Sequence, residues 1–154
     1  MRTEDYLFPK GIYPEYWFYW DRLQFSGTDV FEFYVGELYR SRLTRWNPGS
    51  EFVREEGLLP FLPAIRAAMS DFDPYGDNRL RRDQLYILLD QLEQFGKEVA
   101  AASSVSDLDP KMQVSAHGHD FARKRLLLLA MAEDFRNLCR SALKYRVPLW
   151  ILGL

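Results

Sequence analysis

The chain of 154 residues is poor in reactive side chains: it contains one cysteine, Cys139, and two histidines, His117 and His119. A lone thiol can form neither an internal disulfide nor a cysteine-based zinc cluster, and such sparing use suits a reducing compartment. Long hydrophobic runs are absent. The longest, such as "LLLLAMA", fall far short of the roughly 20 apolar residues that span a bilayer. The start, "MRTEDYLFPKG", has no positive segment leading into an apolar one, so no secretion signal is expected. Charge of one sign is scarce as well. A net charge of −2 gives no field for nonspecific attraction of nucleic acid and leaves only local patches. Glycine-rich phosphate loops and nucleophile elbows are missing. These absences predict a soluble, cytoplasmic protein with no membrane contact.

What is present is an ordinary globular balance of 47% apolar and 27% charged residues, which argues against disorder. The length predicts one domain, residues 1–154, able to bury a core without staples. Aromatics reach 16%, with 4 Trp, 9 Tyr and 11 Phe, so rings must pack together or be displayed at an interface.

Hydrophobic spacing predicts about five helices. Pro14 fits the first turn of one through "EYWFYWDRLQF", although a run of rings also suits a strand. Ser26 or Thr28 can cap a second, with Asp29 and Glu32 at its positive start and Phe31, Val35, Leu38 and Tyr39 on its apolar face. A third starts near Pro60 or Pro63, with Leu58, Leu62, Ile65, Met69 and Phe72 in steps of four and three. A fourth runs from about Leu80, with Leu85, Leu88, Leu92, Phe95, Val99 and Ala102 on one stripe. Gly96 would let a neighbouring helix approach it, and Glu93 can pair with Lys97 across one turn. The long polar stretch "SSVSDLDPKMQVSAHGHD" connects to the longest helix, from about Asp120 to Arg146. There Phe121, Leu128, Met131, Phe135, Leu138, Ala142 and Tyr145 keep the spacing, and Cys139 lies beside the stripe as a small hydrophobe. Pro148 ends that helix and the apolar tail "VPLWILGL" must pack back onto the body. Facing stripes of this kind predict an all-α single-domain bundle with a long, central C-terminal helix.

The stretch that looks most like a site is "DPYGDNRLRRDQL". As a calcium loop starting at Asp73 it has Tyr75, Asn78 and Gln84 where a ligand, a glycine and a bidentate glutamate are needed. Starting at Asp71 it has Arg82 at the last ligand position. Neither register carries enough negative charge, so no metal is expected. The plainer reading is a turn at Gly76 with Asp77 or Asn78 capping the helix that follows. Arg79, Arg81 and Arg82 are out of place there, because cations oppose the dipole at a helix start. An internal carboxylate such as Asp71 or Asp73, a partner, or plain solvent must accommodate them. In "HGHD", His117 and His119 lack the third histidine of a hydrolytic metal site and no nucleophile is paired with them. Glu55 with Glu56 and Glu133 with Asp134 are adjacent on helices and diverge by about 100 degrees, so neither pair serves one substrate atom.

From Asp73 to Phe95, "DPYGDNRLRRDQLYILLDQLEQF" resembles a pattern of small bacterial proteins in which such a turn leads into a leucine-rich helix. The ending "RVPLWILGL" is similar to the tail that closes several of them, although Leu154 stands where an aspartate often follows the last glycine. Many of these proteins resemble immunity proteins of bacterial toxin systems. The resemblance implies a non-enzymatic protein, without cofactors, that neutralises a cognate toxin by occluding its active site. It transfers no binding residue beyond the turn itself. Loop position and charge point to the exposed members of Asp71, Asp73, Tyr75, Asp77, Asp107 and Asp109 as partner contacts. The rival expectations are a small hydrolase using His117 and His119, and a regulatory module that places its arginine clusters on nucleic acid.

Overall fold

The computed structural model describes residues 30–38, 47, 49–108 and 121–153. Among them, β1 (Val30–Val35) and β2 (Glu51–Arg54) come first. A single helical turn, α1 (Glu55–Leu58), then passes through a 3₁₀ turn (Leu59–Phe61) into α2 (Leu62–Ala68). β3 (Asp77–Leu80), the 20-residue α3 (Arg82–Ala101) and a second 3₁₀ turn (Val105–Asp107) follow. The 25-residue α4 (Phe121–Tyr145) and β4 (Leu149–Leu152) complete the series. All four strands join one antiparallel sheet in the order β2-β1-β4-β3. The all-α bundle expected from the stripes is therefore wrong: the fold is mixed, with helices packed on a sheet. The predicted first helix, from Pro14, lies outside the described residues.

The second predicted helix is the instructive error. In "VFEFYV" the residues Phe31 and Val35 are four apart, and that interval shares a face in a helix and in a strand alike. Phe33 discriminates between the two. It lies on the far side of a helix from that pair but on the same side of a strand, and it is buried with Phe31. Strand pairing aligns Phe33 with Ile151 and Val35 with Leu149, and on the other side of β4 Asn78 with Ile151 and Leu80 with Leu149. These residues form the face turned to the helices, where Phe33 meets Phe135 of α4 edge-on at 5.2 Å. Phe135 in turn meets Phe61 at 5.8 Å, and Phe61 meets Phe95 of α3 at 4.8 Å. Aromatic rings thus tie sheet, α3 and α4 into one core.

Glu32, expected near the start of a helix, is instead buried on the opposite face of β1. One carboxylate oxygen accepts hydrogen bonds from the Asn47 backbone N–H at 2.6 Å, the Asn47 side-chain amide at 2.9 Å and the Ser50 hydroxyl at 2.7 Å. This buried acceptor ties the segment leading into β2 back against β1, as a buried charge requires.

The later helices stand close to where the spacing put them. Leu85, Leu88, Leu92, Phe95, Val99 and Ala102 are all buried, as are Leu128, Met131, Phe135 and Ala142. The expected pair Glu93–Lys97 forms at 3.5 Å. Two details differ. Nothing lies within 4 Å of a Cβ added at Gly96, so that glycine serves no close helix approach. The predicted stripe of α4 also ends on an exposed residue, since Tyr145 is 65% accessible.

Candidate functional site

The "DPYGDN" turn is a structural clasp. Asp73 accepts the Gly76 N–H on its carbonyl at 3.0 Å and the Tyr75 N–H on its carboxylate at 2.9 Å, with Pro74 between them. Aspartate and proline in those positions suit this turn. Asn78 is not a helix cap, as the sequence implied. It is buried in β3, accepts the Asp73 N–H at 2.8 Å, and donates to the carbonyls of Asp73 at 2.7 Å and Ile151 at 3.1 Å. The helix cap lies later, at Arg81, whose N–H is accepted by the Gln84 side chain at 2.9 Å. Gly153 donates to the Gly76 carbonyl at 2.8 Å, and a Cβ at Gly153 would run into the Pro74 carbonyl. Only glycine fits such a backbone approach. The two segments that carried the family resemblance are thus the two halves of one clasp.

The clasp holds Tyr75 out at 72% exposure. Asp71, Asp73 and Asp77 are exposed around it, while Phe72 beneath is buried in the core. The turn therefore groups four of the residues expected to contact a partner. Asp107 is elsewhere, beyond the far end of α3. Its carboxylate accepts the Ser103 hydroxyl at 2.7 Å and the backbone N–H groups of Ser103 at 2.8 Å and Ser104 at 3.0 Å. Those bonds, the Ser103 hydroxyl first, hold its pKa below the usual aspartate value. Asp109, His117 and His119 lie outside the described residues.

A second region was only half visible in the sequence. Arg79 of β3, Arg81 and Arg82 at the start of α3, and Arg146 after α4 line one groove of about 290 Å³. Its floor is apolar, from Leu85 and Ala142 to Val147 and Pro148. The carboxylates expected to answer these arginines, Asp71 and Asp73, do not. Arg79 is 3.5 Å from Glu37 and Arg81 is 3.8 Å from Asp83, both in solvent-exposed pairs. Such pairs contribute about 0–1 kcal/mol. Glu37 reaches the groove through Gly36, whose φ of 150° suits glycine and whose N–H donates to the Pro148 carbonyl at 3.1 Å. Arg82 lies over the Tyr86 ring, 5.7 Å from its centroid.

Arg146 sits in an unusual backbone position. The Val147 N–H reaches the Ala142 carbonyl at 3.0 Å and the Arg146 N–H reaches the Leu143 carbonyl at 3.3 Å. This bond pair is a Schellman helix ending, in which Arg146 occupies the left-handed site usually given to glycine. Its φ is 56°, the one positive value at a non-glycine among the described residues.

Most other charged groups pair within the fold, although the buried Arg54 Nε, Arg136 Nε and Trp150 Nε1 make no hydrogen bond among the described residues. A wider cleft between α3 and α4, about 420 Å³, is lined by Glu93, Lys97, Glu133 and Arg136. Glu93 pairs with Lys97, and Glu133 with Arg136 at 3.2 Å. Arg125 donates to the Ala102 carbonyl at 3.2 Å, which caps the end of α3. Burial pushes the Cys139 thiol up to about 12, which leaves it protonated and unreactive. Burial also lowers Lys124 to about 8. Among the described residues no three His, Cys, Asp or Glu side chains are grouped to hold a metal ion, and no helix is long and apolar enough to cross a membrane. Comparisons with protein-family models, with curated proteins and with solved structures gave no match.

Proposed function

We propose that this is a non-catalytic binding protein of the immunity type, which holds a cognate toxin through the Tyr75 turn and occludes the toxin's active site. One observation carries the reading: a tyrosine 72% exposed at the tip of a turn whose backbone is already tied to two strands. Tyrosine is among the residues that dominate interface energies, and a turn ordered before binding loses little entropy on docking. Asp71, Asp73 and Asp77 around the ring match a basic toxin surface and would speed the encounter.

The test is neutralisation of a toxin domain encoded beside this gene, by the full chain and by Tyr75→Ala. The expected result is protection by the unaltered chain and an affinity about 30-fold weaker for the variant. The reading fails if the unaltered chain gives no protection, or if Tyr75→Ala binds the toxin equally well.

A further inference from the structure

We infer that the arginine groove is a binding site for a small phosphate monoester, with the phosphate on the guanidinium groups and an apolar body on the floor beneath. The groove lies at the opposite end of β3 from the Tyr75 turn, and this inference does not rest on the toxin reading.

Three observations converge. Chain proximity places three of the cations together, Arg79 in β3 and Arg81 and Arg82 at the start of α3, but not the fourth: Arg146, just after α4, is brought to the same groove by the fold. They are poorly answered from within. Four guanidinium groups face Glu37 and the exposed Asp83, and Arg82 and Arg146 meet no carboxylate among the described residues. They also occupy positions that disfavour them locally. Arg81 and Arg82 oppose the dipole of α3, and Arg146 holds a left-handed conformation where glycine would be unstrained. Charge placed against local preference is accounted for by a ligand that uses it.

The chemistry of the ligand follows from the lining. Guanidinium forks match phosphate oxygens in paired hydrogen bonds and keep their charge at any physiological pH. Apart from the arginines and Glu37, which pairs with Arg79, the lining is apolar, with Leu143, Val147 and Pro148 on one wall, so an apolar or planar body fits beside the charged groups. A volume of about 290 Å³ lies at the small end of ligand sites, which suits one phosphate and one ring.

The test is calorimetric titration of the full chain with 1-naphthyl phosphate, inorganic phosphate and 1-naphthol at one ionic strength. Saturable binding of the naphthyl phosphate is expected, with inorganic phosphate about tenfold weaker and the naphthol not binding. Arg146→Gly should weaken naphthyl phosphate about tenfold while raising the melting temperature, because it removes the guanidinium and the strained backbone together. That opposition of signs separates a ligand-binding arginine from a structural one. Arg82→Gln should weaken binding similarly, and Lys97→Gln, outside the groove, should not. The inference is overturned by absence of saturation up to about 10 mM, by unchanged affinity in Arg146→Gly, or by an equal loss in Lys97→Gln. It is equally overturned if an oligonucleotide displaces the ester with a steep salt dependence, since the groove would then belong to a nucleic-acid surface.

Discussion

The two ends of β3 differ in sign and in construction. At the Asp77 end a single stretch of sequence makes a turn whose polar groups are spent on one another, and what it exposes is one ring with acids around it. At the Leu80 end, only about 10 Å away along the strand, four arginines line a groove; Arg79 and Arg81 have exposed carboxylate partners, and Arg82 and Arg146 have none among the described residues. A motif dense in turn residues thus builds the backbone, whereas the next few residues, Arg79, Arg81 and Arg82, line a groove that Arg146 joins from the end of α4. The stretch that looked most like a site is mainly a clasp, and the arginines that looked misplaced at a helix start belong to a groove.

This contrast can be broken most sharply at the clasp. Gly153→Ala forces a methyl group against the Pro74 carbonyl and should lower stability by about 2–4 kcal/mol. Asn78→Ala leaves the Asp73 N–H without its acceptor and removes a donor from the Asp73 and Ile151 carbonyls, and should lower it by about 2–3 kcal/mol. Urea unfolding measures both, and midpoints like that of the unaltered chain would show that the turn is not tied to β4. At the groove the sign reverses. Arg146→Gly should raise stability by about 1 kcal/mol, because glycine adopts the left-handed site without strain. Tyr75→Ala should change stability by less than about 0.5 kcal/mol, since the ring is exposed. A larger loss in thermal unfolding would make Tyr75 part of the clasp rather than its display.

A change of pH sharpens the comparison further. The folded pKa of Lys124 is about 8 against an ordinary 10.5. Below pH 8 the lysine is charged in both states and its burial opposes folding. Between about pH 8 and 10.5 the unfolded chain binds more protons, so stability rises with pH. Lys124→Met should flatten that rise. A guanidinium is a far stronger base than an ammonium, so phosphate-ester affinity at pH 9.5 should stay close to its value at pH 8, as a paired titration would show.

The long helices were legible because α3 and α4 each repeat a three-and-four interval over many turns, and an interval repeated that often admits one period. The sheet was not. β2, β3 and β4 have four residues each, too few to establish alternation, and "DNRL" is largely polar. β1 was long enough, but Phe31 and Val35 were read without the Phe33 that lies between them. Of the candidate site residues, the acids and Tyr75 were picked out by turn composition, and Arg79, Arg81 and Arg82 by their conflict with the helix dipole. Arg146 and Glu37 carried no local signal, because an arginine after a helix and a glutamate after a glycine are unremarkable until the fold places both in the lining of one groove.

Sequence alone therefore determined the two long helices, their buried stripes and the turn at Gly76, all of which depend on neighbours within a few residues. Tertiary structure alone decided that residues 30–35, 51–54, 77–80 and 149–152 pair as one sheet. It likewise brought Gly153 under Pro74 and Arg146 to Arg79, Arg81 and Arg82 at one end of β3. The reason is the same in each case: hydrogen bonds between strands, close backbone packing and convergent charge join residues far apart in the chain, and no local window contains both partners.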